Sequence, residues 1–291
     1  MGTVTDRRIV VRLNDGHEVS RPDTLVAEEP LEIRVGGRPL AVTMRTPGDD
    51  IDLALGFLLT EGLIAGAADV GTAKHCTDTD FRASARSELA SPAAASSAGN
   101  VLEVTLAPGV PAPAVDPTRN FYTTSSCGVC GKASIDAVRT LSRHPVGDDP
   151  FRVDAEVLAK LPERLRTDQR VFDRTGGLHA AGLFTADGDL VCVREDVGRH
   201  NAVDKVIGWA VRQDRLPLTG HILLVSGRAS FELAQKASMA GIPMLAAVSA
   251  PSTLAVDLAT EVGMTLIGFL RPTRMNIYTS PDRVVRAYPR S

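Results

Sequence analysis

Two cysteines three residues apart, Cys127 and Cys130, stand in the run Thr123-Thr124-Ser125-Ser126-Cys127-Gly128-Val129-Cys130-Gly131-Lys132. Two glycines and several small hydroxyl residues predict a flexible loop here, with a helix beginning near Gly131. A cysteine near a helix N-terminus and beside Lys132 has a lowered pKa and a larger share of thiolate, the form that attacks sulfur or binds metal. The spacing admits three chemistries. Half of a zinc site needs two more ligands, but Cys76, His75 and Cys192 are isolated and no second Cys-x-x-Cys exists. A thioredoxin-like redox pair belongs inside an early βαβ unit, whereas this pair follows a Pro-rich connector. The third chemistry is a nucleophile that carries a persulfide. Spacing alone does not select among them, and no metal site is expected.

A second candidate is His179, in Thr175-Gly176-Gly177-Leu178-His179-Ala180-Ala181-Gly182. Paired glycines let backbone approach a ligand closely. Zinc deaminases carry His-x-Glu in such a place, followed by Pro-Cys-x-x-Cys. Here the Glu position is Ala181, and the cysteine pair precedes the histidine. The pattern is reminiscent of a deaminase scaffold without the deaminase reaction. A purely structural role for His179 stays open, and His17, His144 and His221 read as structural.

Four polar, Gly- or Arg-bearing segments follow expected strands. They are Arg194 to Asn201 (with Asp204-Lys205 in the next helix), Ser226 to Ser230, Ser249 to Ser252, and Arg271 to Asn276. In α/β sheets ligands collect at the carboxyl ends of strands. Helix N-termini with free N–H groups, together with arginine forks, make a cradle for phosphate. Singly, the serines could merely cap helices. Together on one edge they favour an anionic ligand. The stretch from Asp196 to Asp204 has a second reading, as a structural ion-pair network.

The elements that must position these groups follow from periodicity. Strands are expected at Arg8–Leu13, Leu31–Val35, Pro39–Arg45 and Val101–Leu106, with one helix at Ile51–Leu63 burying Leu55, Leu58 and Leu59. Ser87 to Gly99 is Ala/Ser-rich and aperiodic, and so reads as a loop. Pro111 to Pro117 reads as a stiff connector. Beyond it, helices are expected at Lys132–Leu141 and Ala155–Arg166. A hairpin then turns at Asp187-Gly188, between Ala180–Thr185 and Leu190–Glu195. Helix His200–Arg212 follows. The chain then alternates strand and helix: His221–Val225, Ala229–Ala240, Pro243–Val248, Ser252–Val262 and Met264–Leu270. That βαβαβ run predicts parallel strands joined by right-handed crossovers. The expected fold is α/β (α+β overall). Residues 1–117 form a smaller β-rich N-terminal domain with one packed helix. Residues 118–291 form a second domain carrying the cysteine loop and the ligand site.

Composition narrows the function classes. The chain has 291 residues, 44% hydrophobic and 23% charged, enough to bury a sizeable core. Its net charge of -3 argues against a generic polyanion binder, and an aromatic content of 4% weakens any base-stacking reading, so no nucleic-acid partner is expected. No apolar run approaches the roughly 18 residues of a membrane span. The first residues lack the apolar core of a signal peptide, so a cytoplasmic location is expected. Of the 32 basic residues 27 are Arg, consistent with codon bias or with arginines that grip phosphate or carboxylate.

The motifs together resemble the FdhD family of formate dehydrogenase accessory sulfurtransferases. The resemblance rests on Ser126–Gly131, Thr175–Ala181, Glu195–Lys205 and Ser226-Gly227-Arg228. It extends to Pro39–Asp50, Gly241-Ile242-Pro243 and Gly268–Arg271, in order from about residue 28 to 280. It implies a persulfide relay in which sulfur comes from a cysteine desulfurase. The acceptor is the molybdenum (or tungsten) bis-pyranopterin guanine dinucleotide cofactor that formate dehydrogenase needs. It also implies a cytidine-deaminase-like second domain, a homodimer, Cys127 as persulfide carrier and Cys130 as its partner. By the same resemblance the cofactor site spans Phe269, Leu270, Arg271, Pro272, Thr273 and Arg274, with Arg271 and Arg274 holding phosphate. The strand-end reasoning adds Ser226, Gly227, Arg228, Ser249 and His179 as contacts, and Asp196, His200 and Asp204 as the wall beneath the reactive loop. The rival is a non-catalytic chaperone that binds the cofactor or the apo-dehydrogenase and uses the cysteines only for structure.

Overall fold

A computed structural model describes residues 3–76, 98–112, 122–123 and 142–286. The hairpin β1 (Thr5–Asn14) and β2 (His17–Val26) comes first, closed by the two-residue turn Asp15-Gly16, where both φ angles are positive. Next come β3 (Glu29–Val35), β4 (Arg38–Arg45), α1 (Asp50–Thr60), β5 (Val70–His75), β6 (Val101–Leu106) and β7 (Tyr122–Thr123). Strands β3 to β7 form one sheet in the order β5-β6-β3-β4-β7. Along β3 the alternation of apolar and charged residues buries Leu31, Ile33 and Val35 on one face.

The second half holds β8 (Val153–Asp154), α2 (Ala155–Asp168), α3 (Arg170–Thr175), β9 (His179–Phe184), β10 (Leu190–Asp196) and α4 (Arg199–Arg212). It continues through β11 (Ile222–Val225), α5 (Phe231–Met239), β12 (Met244–Ala247), α6 (Thr253–Val262), β13 (Thr265–Arg271), β14 (Arg274–Ile277) and β15 (Val284–Val285). A six-stranded sheet runs β10-β9-β11-β12-β13-β14, with β11, β12 and β13 parallel and β9 antiparallel to β11. The parallel strands are buried on both faces, as helix-covered strands must be. Their residues alternate between two cores. Leu223, Val225, Leu245 and Ala247 face α4, α5 and α6, while Ile222, Leu224, Met244 and Ala246 face α2.

The expected strands and helices within the described residues are present. Strands β2, β5, β7, β8, β14 and β15 and the short helix α3 went unread, because their polar or short runs lack a clean period. In particular, Arg271 to Asn276 does not simply trail off a strand. The chain turns at Pro272-Thr273 and returns as β14, pairing Arg271 with Arg274. The helix expected at Lys132–Leu141, residues 87–97 of the Ala/Ser-rich stretch, and residues 113–117 of the connector lie outside the described residues.

The first core does not stop at the connector. It runs from Leu31, Ile33 and Leu102 through α1 into α4 and the six-stranded sheet. Helices α1 and α4 cross with their backbones in contact. A Cβ on Gly56 would stand 1.9 Å from the Asp204 carbonyl oxygen, and one on Gly208 would stand 1.7 Å from that of Asp52. Strand β7, at residues 122–123, pairs with β4 in the N-terminal sheet.

Candidate functional site

Because β10 runs parallel to β11, the carboxyl ends of β10, β11, β12 and β13 share an edge with the start of β9. Lateral hydrogen bonds join the loops at this edge. Ser226 donates its N–H to the Ala180 carbonyl, and its Oγ accepts from the Ala180 N–H, both at 2.9 Å. Ser249 N–H donates to Gly227 O at 3.2 Å, and Phe269 N–H donates to Ser249 O at 3.1 Å. His179, Ser226, Gly227, Ser249 and Phe269 are thus one continuous set. The capping alternative separates the serines. Ser252 caps α6 by accepting from the Ala255 N–H, whereas Ser226 is spent on Ala180 and Ser230 makes no capping bond.

Phe269 is 39% exposed and sits at φ 52°, a left-handed conformation that costs a bulky residue energy. Arg228, Pro272, Thr273 and Arg274 are exposed. One Arg271 nitrogen, Nη1, donates to the carbonyls of Val248 (2.6 Å) and Leu270 (2.8 Å), which fixes the guanidinium at the strand end. A cradle with exposed Arg228 and Arg274, a fixed Arg271 and small hydroxyl residues fits a phosphate-bearing ligand.

His179 begins β9, opposite Asp196 at the end of β10. Gly227 lies beside the His179 ring, where a Cβ would stand in ordinary contact 3.4 Å from Nδ1. Burial holds the His179 pKa below its ordinary value, reinforced by the charges of Arg199 and His200, so the ring is neutral at pH 7. His200, in the first turn of α4, points Nε2 at Glu232 Oε2 (2.7 Å), with Ser230 Oγ 3.4 Å away. Burial raises the Glu232 carboxyl, but the His200 hydrogen bond and nearby cations outweigh it and lower the pKa.

Three expected contacts are corrected by burial. Leu270 is fully buried in the core against α2 and cannot touch a ligand. Asp196 is also fully buried, accepting from the N–H groups of Thr46 and Gly198 and from Asn201 Nδ2, with Lys205 Nζ 2.7 Å away. Asp204 lies between α1, α4 and α5, where both its oxygens are 2.8 Å from Lys236 Nζ and Oδ1 is 3.0 Å from Thr60 Oγ1. Burial pushes its carboxyl pKa up, while Lys236 pulls the other way. The ion-pair reading of this stretch therefore holds for both aspartates. Asp196 locks the end of β4 to α4, helped by Lys205 donating to Thr46 O and Asn201 to Met44 O, while Asp204 ties α4 to α1 and α5.

Cys127 and Cys130 lie outside the described residues. Cys192 is buried, and desolvation pushes its thiol up to about 11, too high for a thiolate near neutral pH. Among the described residues no three His, Cys, Asp or Glu side chains converge on a metal position, and no helix is long and apolar enough to cross a membrane. Sequence reasoning placed Arg199 and Ser230 in its strand-end segments without a role of their own, and missed Glu232 at this edge. The Arg199 Nε is buried there without a hydrogen-bond partner. Its place in the first turn of a helix at a strand end was the available signal.

The profile of the FdhD/NarQ family matches residues 26–285. The chain belongs to the FdhD/NarQ family. Relatives include the "Sulfur carrier protein FdhD" of Streptomyces coelicolor, 61% identical over 98% of this chain and 97% of the relative. The protein of the same name from Mycobacterium tuberculosis is 57% identical over 98% of this chain and the whole of the relative. A crystal structure from Desulfotalea psychrophila, described as that of a formate dehydrogenase accessory protein, superimposes with a TM-score of 0.71 at 21% identity. That alignment covers 97% of this chain and all of the other. At that identity it supports the fold alone. The FdhD/NarQ profile spans both sheets and the whole strand-end cluster, and only the β1–β2 hairpin precedes it.

Proposed function

We propose that this protein is a cytoplasmic sulfurtransferase that carries sulfur as a persulfide on Cys127 for formate dehydrogenase. The donor is a cysteine desulfurase. The Cys127 thiolate attacks the outer sulfur of the donor's persulfide, the donor's S–S bond breaks, and the donor thiolate leaves. The acceptor is the molybdenum (or tungsten) bis-pyranopterin guanine dinucleotide cofactor, handled as cargo. Arg228, Arg271 and Arg274 hold its phosphates, and Phe269 offers a ring face. Cys130 assists the carrier. We read the helix-covered six-stranded sheet as cytidine-deaminase-like in arrangement, and the working unit as a homodimer.

The observation that carries this reading is the single hydrogen-bonded edge joining His179, Ser226, Gly227, Ser249 and Phe269, with its arginines, in a chain whose relatives are sulfur carriers. Its test is sulfur loading. The protein is incubated with a desulfurase and cysteine, and peptide masses are taken without reductant. A reducible gain of about 32 Da on the peptide holding Cys127 and Cys130, lost in Cys127→Ala, is expected. No gain beside an active desulfurase would turn the assignment to a cofactor chaperone.

A further inference from the structure

The β1–β2 hairpin is a sheet of two ten-residue strands, exposed along most of its length. Ile9, Val11 and Leu13 are 74%, 57% and 71% exposed. With side chains alternating, all three fall on one face.

The two outer edges of the hairpin differ. Ala27 N–H donates to Val4 O, so the pair Val4–Ala27 is hydrogen-bonded and every second pair from there inward is too. The odd-numbered residues of β1 therefore turn their N–H and C=O groups outward. On β2 the residue opposite Ile9 is Pro22, which has no N–H, so that outer edge is interrupted. On β1, Arg7 N–H is already taken by Asp6 Oδ1 at 2.7 Å. What remains is an open edge at Ile9, Val11 and Leu13, the same three residues that carry the apolar stripe.

We propose that this edge of β1 is the seam of the homodimer, pairing antiparallel with β1 of a second copy about a two-fold axis at Val11. The proposal rests on the homodimer reading above. In that register Ile9 lies opposite Leu13 of the second copy and Val11 opposite Val11, joining two apolar stripes into one. It uses only the free backbone groups and leaves the Asp6–Arg7 bond intact. Arg7 comes beside the Asp15 turn of the second copy, so opposite charges meet at both ends. Arg8 faces Asn14, and Arg12 faces Val10. Centring on Val10 instead would set Arg8 against Arg12 twice, and centring on Arg12 would set Arg12 against itself, and like charges directly opposite destabilise a sheet. Charge thus favours Val11 over those two registers, and the Asp6–Arg7 bond disfavours a centre at Ile9, which would need the Arg7 N–H. The hairpin leans its base on α3 and Gly177, with Arg174 reaching Thr5 Oγ1 and a Cβ on Gly177 3.1 Å from Val26 Cγ1. The body of the protein thus holds the base of the hairpin and leaves the half that carries Ile9, Val11 and Leu13 exposed.

The test is sedimentation or light scattering of the full chain across about 1–100 μM. Val11→Pro removes one outward N–H and no bond within the hairpin, repeating on β1 what Pro22 does on β2. Val11→Lys sets two charges at the axis. The parent is expected to be a dimer, with each variant raising the dissociation constant about tenfold or more while circular dichroism and sulfur loading stay unchanged. A dimeric parent whose two variants remain equally dimeric would overturn the seam and leave the homodimer standing. A parent monomeric at every concentration would overturn both.

Discussion

Within one helix and the strand before it, the motif Glu195 to Lys205 divides into two regions with opposite fates. Asp196, Asp204 and Lys205 point inward, where their charges meet partners and no water. Arg199 and His200, in the first turn of α4, stay at the open edge with His179 and Glu232. A dense run of charged residues is therefore not itself a site. Its inward half joins α4 to the end of β4, α1 and α5, and its outward half is left at the open strand-end edge. The same division sorts the arginines. Arg45 and Arg283 are buried against Asp50 and a set of backbone carbonyls, while Arg228 and Arg274 face solvent.

The comparison predicts a ladder of effects. Asp204→Ala should be the most damaging, because it strands the Lys236 ammonium in the joint. A loss of about 3–5 kcal/mol in urea unfolding is expected. Adding Lys236→Met should recover much of it, and no recovery would mean that Asp204 acts through something other than its charge pair. Gly208→Ala should cost about 3 kcal/mol or more, since its Cβ would lie 1.7 Å from the Asp52 carbonyl oxygen, backbone that cannot rotate away. A normal melting temperature for that variant would contradict the close crossing of α1 and α4.

At the edge the signs reverse. Arg228→Ala should leave stability within about 0.5 kcal/mol and weaken guanine nucleotide binding about tenfold, as calorimetry would read. Unchanged binding would remove Arg228 from the cradle. The smallest effect concerns acid. Glu232 has its folded pKa lowered from 4.5, so its contribution to stability is complete above that pH and is lost as pH falls below it. Glu232→Gln should therefore cost about a few tenths of a kcal/mol at pH 7, a difference that shrinks as pH falls below 4.5. His179, also with a lowered pKa, should titrate below 6.5 by NMR.

Much was legible from residue order alone. The parallel strands of the second half announced themselves as short apolar runs between amphipathic helices, and the turn at Asp187-Gly188 placed its hairpin. These are local patterns, set by side-chain period and turn chemistry. The gathering of Ser226, Ser249 and Arg271 on one edge also followed, because strands that run parallel must end together. What residue order could not decide was depth. Asp196 and His200 are four residues apart and equally polar, yet one is sealed and the other lies at the edge. That difference comes from Thr46, distant in the chain, which reaches Asp196 only when the end of β4 docks on α4, as Thr60 of α1 and Lys236 of α5 reach Asp204. Nor could it show β14, since Arg274 to Ile277 is a strand only by pairing with β13. Periodicity determined the elements and their order. Burial and charge pairing depend on neighbours far away in sequence, so only the tertiary structure decided which polar residues hold the molecule together and which are left to act.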